Sequence, residues 1–210
     1  MLVERVLPII SPENKNKIVT VTGVSGSGKN FLMRSAQKAE PELFDGRISV
    51  FNFGSELFRN VVGQFPELKE SGADGLKRLP LEDLDLYIKK TLDSLLASQP
   101  CLQITHLVFK QRDSFVINPE SEKKTQAVEY LFIQSDPEQI YNWRLENQNT
   151  RTREIESVDD INLHQVLARL STVAIAQRLN VGMLVINNDP ASINEVVDSI
   201  LQESRDRLIT

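Results

Sequence analysis

The strongest chemical signal in the chain is one run, Gly23-Val24-Ser25-Gly26-Ser27-Gly28-Lys29-Asn30. Glycines at three of these positions let the backbone curl until successive N–H groups face inward, a shape that suits phosphate oxygens. A helix that starts at the end of the run adds its positive N-terminal end to the same point. Lys29 then supplies a point charge toward the β- and γ-phosphates of a nucleoside triphosphate. The spacing is GxxxxGK, set between an expected strand and an expected helix. A glycine-rich turn with an incidental lysine is the bland alternative, and the agreement of strand, glycines, lysine and helix argues against it. Gly23, Ser25, Gly26, Ser27, Gly28 and Lys29 are therefore the expected triphosphate-binding residues. The next position departs from the motif. A serine or threonine hydroxyl there binds Mg²⁺, whereas Asn30 offers an amide oxygen on a longer side chain. Asn30 is the expected metal contact, and triphosphate binding should tolerate the change better than catalysis does.

The elements that would hold this run follow from hydrophobic patterning. Short β-branched stretches at 17–22, 48–53, 101–109, 128–133 and 181–187 read as strands. Amphipathic stretches at 29–39, 55–64, 81–98, 159–179 and 190–208 read as helices. Leu81, Leu84, Ile88, Leu92 and Leu95 fall on one helical face, as do Ile193, Val197, Ile200 and Leu201 near the C-terminus. Asp136-Pro137 signals a further helix start, with Asp as cap and Pro in the first turn. This alternation argues for an α/β fold with a parallel sheet covered on both faces. Three stretches stand outside it. Residues 1–16 read as an extension with no assigned role, 113–124 as a polar loop, and 147–159, rich in Arg, Thr, Glu and Asn, as a mobile lid.

Composition narrows the class. A chain of 210 residues with 40% hydrophobic and 25% charged residues suits one globular domain carrying a small lid. A net charge of −5 argues against a general nucleic-acid surface, though not against a local basic pocket. Cys101 is the single cysteine, so no intramolecular disulfide can form, and its apolar surroundings suggest a core filler. With two histidines beside it, no zinc constellation is readable. Glu4, Arg5 and Pro8 interrupt the N-terminal apolar residues before a signal peptide could form, and no run is long enough to span a membrane. A cytoplasmic location is the expectation.

From about residue 17 onward the chain resembles the archaeal-type adenylate kinases, a branch of the P-loop nucleoside monophosphate kinases. The stretches that carry the resemblance are KIVTVTGVSGSGK, FNFGSELF, ITH, WRLENQNTRTREIES followed by DDINLHQ, and VINNDP, in that order. FNFGSELF is similar to the family's asparagine-phenylalanine-glycine-threonine turn, and ITH to its aspartate-threonine-histidine turn. The resemblance implies a P-loop NTPase-type three-layer sandwich with a five-stranded parallel sheet and a lid. It also implies transfer of the γ-phosphoryl of ATP, with Mg²⁺, to AMP. Such a transfer crowds negative charge, so positioning and neutralisation do most of the work. Arg144, Arg151 and Arg153 match arginines of the family's lid and join Lys29 as expected catalytic residues. A solvated loop balanced by Glu146, Glu154 and Glu156 is the bland alternative.

Gly54 and Ser55 fall where the acceptor nucleotide would sit, at the carboxyl edge of the second strand. Arg59 is either an acceptor-phosphate contact or an exposed helix arginine, and Lys77 and Arg78 are open between the same two readings. Asn187 and Asp189 belong to the expected base-recognition loop. His106 is either a site-lining hydrogen-bonding residue or structural, and His164 reads as structural. Where the family has a metal-organising aspartate this chain has Ile104, a second altered metal position beside Asn30. An alternative function is therefore a nucleotide-binding regulatory protein on the same fold, and another is a kinase for a different small acceptor. Some members of the family are trimers, so a homo-oligomer stays open.

Overall fold

The computed structural model describes residues 2–8, 16–111, 114–117, 125–147 and 155–209. The IVTVT run forms β2 (Ile18–Thr22), every residue of which is buried. A strand covered on both faces must be apolar or satisfy its polar groups internally. Thr20 does the latter by donating its hydroxyl to Gln103 Oε1 at 2.9 Å. Around β2 stand β3 (Ser49–Asn52), β4 (Cys101–Ile104), β7 (Glu129–Gln134) and β8 (Gly182–Asn187), all parallel. The expected parallel sheet is thus present, but it has a further strand. β1 (Val3–Leu7) pairs antiparallel with β8, giving a six-stranded sheet in the order β1-β8-β7-β2-β4-β3.

β1 lies inside the stretch 1–16 that reads as an extension ahead of the first strand. Glu4 and Arg5 interrupt the apolar residues and so mask its strand pattern. In the fold they are ion-pair partners: Glu4 meets Arg169 at 3.1 Å, and Arg5 reaches Glu129 at 2.6 Å and Glu203 at 2.7 Å.

The helices are α1 (Lys29–Ala39), α2 (Pro41–Phe44), α3 (Phe53–Val62), α4 (Leu81–Ala97), α5 (Pro137–Glu146), α6 (Val158–Leu179) and α7 (Ile193–Leu208). Strand alternation sorts the core into two layers. Tyr130, Phe132, Met183 and Val185 pack with Ile161, Ala168 and Ile175 of α6. Leu131, Ile133, Leu184 and Ile186 pack with Leu32, Met33 and Ala36 of α1 and Val197, Ile200 and Leu201 of α7. A smaller cluster of Val61, Leu68 and Leu84 joins α3 to α4 through the 3₁₀ stretch Pro66–Arg78. Asn180, in the left-handed region at φ 57°, ends α6. Burial pushes the Cys101 thiol up to about 12, consistent with an inert core filler.

Two further expectations change. The apolar stretch 101–109 is not one strand. β4 stops at Ile104, and β5 (Val108–Gln111) turns away to pair with β6 (Ser114–Ile117) in a separate hairpin. The break falls at Thr105-His106, inside the ITH turn, which the run of apolar residues on either side outweighs in a reading by pattern alone. β6 also lies inside the stretch 113–124 that reads as loop. Among the described residues no helix is long and apolar enough to cross a membrane.

At the amino end of β7, far along the strand from the glycine-rich run, Glu129 is fully buried. It accepts from Arg5 Nη1 at 2.6 Å and from Arg207 Nε at 2.7 Å. Gly182 leaves room for it, since a Cβ there would lie 2.9 Å from Glu129 Oε1. Glu203 meets the same two arginines at 2.7 and 3.4 Å. Burial, and then the neighbouring Glu129 carboxylate, raise its carboxyl from 4.5 to about 7. Between those values the native state holds a proton that the unfolded chain has released, so stability falls as pH rises through this window. Urea denaturation at pH 5 and pH 8 should show wild type losing on the order of 1 kcal/mol more than Glu203→Gln. Equal losses in the two proteins would place the titration on another group.

Candidate functional site

The glycine-rich run leaves β2 at the carboxyl edge of the sheet and enters α1. Gly23, Gly26 and Gly28 have φ of 141°, 90° and 87°, all in the region that favours glycine. Space enforces the choice as well. A Cβ on Gly23 would sit 2.2 Å from the Ile133 carbonyl oxygen, and one on Gly28 would sit 2.2 Å from Asn188 Nδ2. Gly26 packs under Ile140 and Arg144 of α5, with closest approaches of 3.1 and 3.2 Å for an added Cβ.

The loop is fastened from outside by its own carbonyls. Ser27 O accepts from Asn188 Nδ2 at 3.0 Å and from Ser135 Oγ at 3.2 Å. Gln165 of α6 fixes Ser135 in turn, accepting from its N–H at 3.1 Å and donating to its carbonyl at 2.9 Å. Gly28 caps α1 with no side-chain hydrogen bond, and no acidic residue lies in the first turn. The positive end of α1 is therefore left to an anion from outside the chain.

Lys29 is buried and donates through Nζ to Gly23 O at 2.8 Å and Val24 O at 2.7 Å. His106 Nδ1 lies 2.9 Å from Gly23 O and 3.5 Å from Lys29 Nζ. A carbonyl only accepts, so Nδ1 carries the proton in the shorter contact. Of the two readings of His106, this contact with the cradle fits the site-lining one.

Arg144 is also buried. Its Nε and Nη2 donate to Ser25 O at 3.2 and 2.6 Å, and its Nη1 donates to Glu156 Oε2 at 2.5 Å. One guanidinium thus ties the cradle to the chain on both sides of residues 148–154. Burial opposes ionisation of Glu156, but His164 and Arg144 outweigh it and bring the carboxyl down to about 2. His164 Nδ1 is 3.8 Å from Glu156, its Nε2 lies 3.1 Å from Val108 O, and its ring meets that of Phe115 at a tilt with centroids 4.9 Å apart. These contacts give His164 the structural role expected of it.

The acceptor turn abuts the cradle. Asn52 caps α3 by accepting from Ser55 N at 3.0 Å, and its amide donates to Asn30 Oδ1 at 3.1 Å. Gly54 and Ser55 lie in that first turn. Arg59 is exposed and donates to both Glu56 oxygens at 2.7 Å, the exposed-helix arrangement of its two readings. Ile104 pairs with Asn52 in register and is buried in the core. No group of three or more His, Cys, Asp or Glu able to hold a metal exists among the described residues. Ile104 carries no donor atom, while Asn30 Oδ1 accepts from Asn52 and keeps a second lone pair, so of the two altered positions only Asn30 could touch Mg²⁺.

Beyond the ends of β7 and β8 lies a cavity of about 700 Å³, lined in part by Ser135, Asp136, Gln165, Asn187, Asn188 and Asp189. Ser135 and Asn188 also hold Ser27, so the cavity adjoins the cradle. Asn187 Oδ1 accepts from Gln134 Nε2 at 2.5 Å, and Asp189 Oδ1 caps the turn 190–192 by accepting from Ala191 N at 3.0 Å. Arg151 and Arg153 lie outside the described residues, as do the side chains of Lys77 and Arg78. Of the expected lid, Ile155–Ser157 is described as irregular chain and Val158 already begins α6. Sequence reasoning missed Asn52, Ser135, Gln165 and Asn188. Asn188 stands inside the quoted VINNDP and Asn52 inside FNFGSELF, whereas nothing marks Gln165.

A family model described as "AAA domain" matches residues 22–162. The adenylate kinase of Pyrococcus abyssi is 27% identical over 195 residues, covering 88% of this chain and 93% of that one. The adenylate kinase of Pyrococcus furiosus is 26% identical over 191 residues with the same coverage. The archaeal adenylate kinase resemblance is thus met by these relatives, at low identity. Among solved structures, the shikimate kinase from Acinetobacter baumannii in complex with shikimate covers 91% of this chain and 93% of its own, with a TM-score of 0.51 at 15% identity. That last likeness is one of fold.

Replacing Glu156 by Gln should cost about 2 kcal/mol at neutral pH, because Arg144 stays buried without its charged partner. The Glu156 carboxyl is held below its ordinary 4.5, so its contribution is present above that value and fades as pH falls toward 2. Denaturation midpoints of the two proteins should therefore converge on acidification; a constant gap would point to packing rather than charge.

Proposed function

Because this chain belongs to the AAA-domain family, matched over residues 22–162, we propose that it binds ATP in the 23–29 cradle and passes the γ-phosphoryl to a nucleoside monophosphate, with AMP favoured. It is a phosphotransferase, the class that the family match and the relatives named adenylate kinase support. The observation that carries the finer reading is the contact of two turns. The cradle's first helical residues and the cap of α3 meet at Asn30 and Asn52, so an acceptor phosphate over Gly54 and Ser55 would lie beside a γ-phosphate over Lys29.

In the transfer an acceptor phosphate oxygen attacks the γ-phosphorus as its bond to the β-phosphate oxygen breaks, leaving two nucleoside diphosphates. Lys29 would exchange a cradle carbonyl for a phosphate oxygen. Arg144 keeps the cradle in shape through Ser25, and Arg151 and Arg153 are proposed as the arginines that neutralise the phosphates. A phosphate acceptor needs little proton abstraction, so His106 orients the cradle and is assigned no base role. The cavity beside Asn187, Asn188 and Asp189 has room for the ATP base. Mg²⁺ accompanies ATP in such reactions and would neutralise part of the phosphate charge.

A second reading, a nucleotide-binding regulatory protein, is favoured by Asn30 and Ile104, which remove two metal-organising groups. A coupled assay of ATP with each common monophosphate, with and without Mg²⁺, separates the two. The proposed function predicts diphosphate formation, fastest with AMP, and a fall of about 10²-fold or more in kcat for Lys29→Ala. Calorimetric ATP binding with no turnover on any monophosphate would favour the regulatory reading instead.

A further inference from the structure

Asn30 occupies the position where the motif places a metal-binding hydroxyl, yet its oxygen is used within the protein. The orientation of the bond is fixed by its neighbours. The Ser55 N–H can only donate, so the Asn52 atom that meets it at 3.0 Å must be Oδ1. That leaves Asn52 Nδ2, a donor only, facing Asn30 at 3.1 Å, so the Asn30 atom there is its oxygen. Asparagine also carries this oxygen one bond farther from the backbone than serine would, enough to cross from the first turn of α1 to the end of β3. One side chain, Asn52, thereby touches both half-sites, capping the acceptor helix with its oxygen and holding the cradle helix with its nitrogen.

We propose that Asn30 and Asn52 form a positioning pair that couples the two nucleotide sites, with Asn30 acting on the acceptor turn through Asn52 and not as a metal ligand. The inference rests on the reading of 52–55 as the acceptor turn. A triphosphate on the cradle orders the first turn of α1 and with it Asn30. The bond carries that order to Asn52 and so to the first turn of α3, where Gly54 and Ser55 lie. Filling the donor site therefore tightens the acceptor site, and by reciprocity the acceptor tightens the donor by the same factor. Because Asn30 Oδ1 is already bonded, this coupling does not depend on a divalent cation.

The test is a set of calorimetric titrations of AMP into the whole chain, alone and with a saturating non-hydrolysable ATP analogue, each in Mg²⁺ and in chelator. Wild type should bind AMP about threefold to tenfold more tightly with the analogue present, the range that one hydrogen bond supplies, and equally so in chelator. Asn52→Asp keeps an oxygen for the Ser55 N–H but loses the donor to Asn30. Asn30→Ala loses the acceptor at an exposed position. Each should bring the coupling factor close to one, and the double variant should lose no more than either single. In turnover, Asn30→Ala should raise the KM for AMP at saturating ATP by about the same factor, with a smaller change in kcat. A coupling factor that persists in both single variants, or is additive in the double, overturns the pair. Wild type that binds the ATP analogue but no AMP under any condition overturns the acceptor reading itself, and the pair with it.

Discussion

The close approach of the 23–28 backbone to the ends of β7 and β8 is the constraint on which the rest of the site depends. At Gly23 the neighbour is the Ile133 carbonyl, and at Gly28 it is the Asn188 amide, each too near for any side chain. The loop can come so close because β2 lies next to β7, and β7 next to β8, in register. Ser135 and Asn188, the residues that follow those strands, then take up the Ser27 carbonyl. The cradle is shaped from behind by hydrogen bonds to its carbonyls, and the positive end of α1 is kept for phosphate. This arrangement is preorganisation in a literal sense. The loop backbone is in shape beforehand, while Lys29 Nζ is held by the Gly23 and Val24 carbonyls.

Buried charge occurs at both ends of the parallel sheet, for different reasons. At the carboxyl end, Arg144 joins Ser25 of the cradle to Glu156. Removing either partner would strand a charge in a poorly solvated place, so the pair secures geometry more than it adds stability. At the amino end, Glu129 and Glu203 share Arg5 and Arg207, and the cluster binds β1 and α7 to β7. The first group braces the cradle. The second holds an edge strand that the hydrophobic pattern alone would not have attached.

Much of this was legible in the sequence because short-range rules governed it. The GxxxxGK run, the amphipathic faces of α4 and α7, and the Asp136-Pro137 start of α5 each follow from residues close together in the chain. What escaped depended on partners far away. Glu4 and Arg5 interrupt the apolar pattern of β1, and their partners Arg169, Glu129 and Glu203 are distant in the chain. The ITH turn marks the break after Ile104, but the direction that β5 takes beyond it is set by pairing with β6. The bond from Asn52 to Asn30 depends on the register that sets β3 beside β4, which no local pattern gives. Gln165 carries no local mark, since its work is to hold a backbone thirty residues away, from Ser135 N and O.

The account stands or falls on phosphoryl transfer between two nucleotides held at the meeting of the cradle and the α3 turn. Phosphorus NMR of the protein with ATP and AMP follows both nucleotides directly. The account predicts that the ATP and AMP resonances decline together while only ADP resonances grow. An AMP signal that stays constant, whether ATP persists or is hydrolysed to ADP and free phosphate, would contradict it.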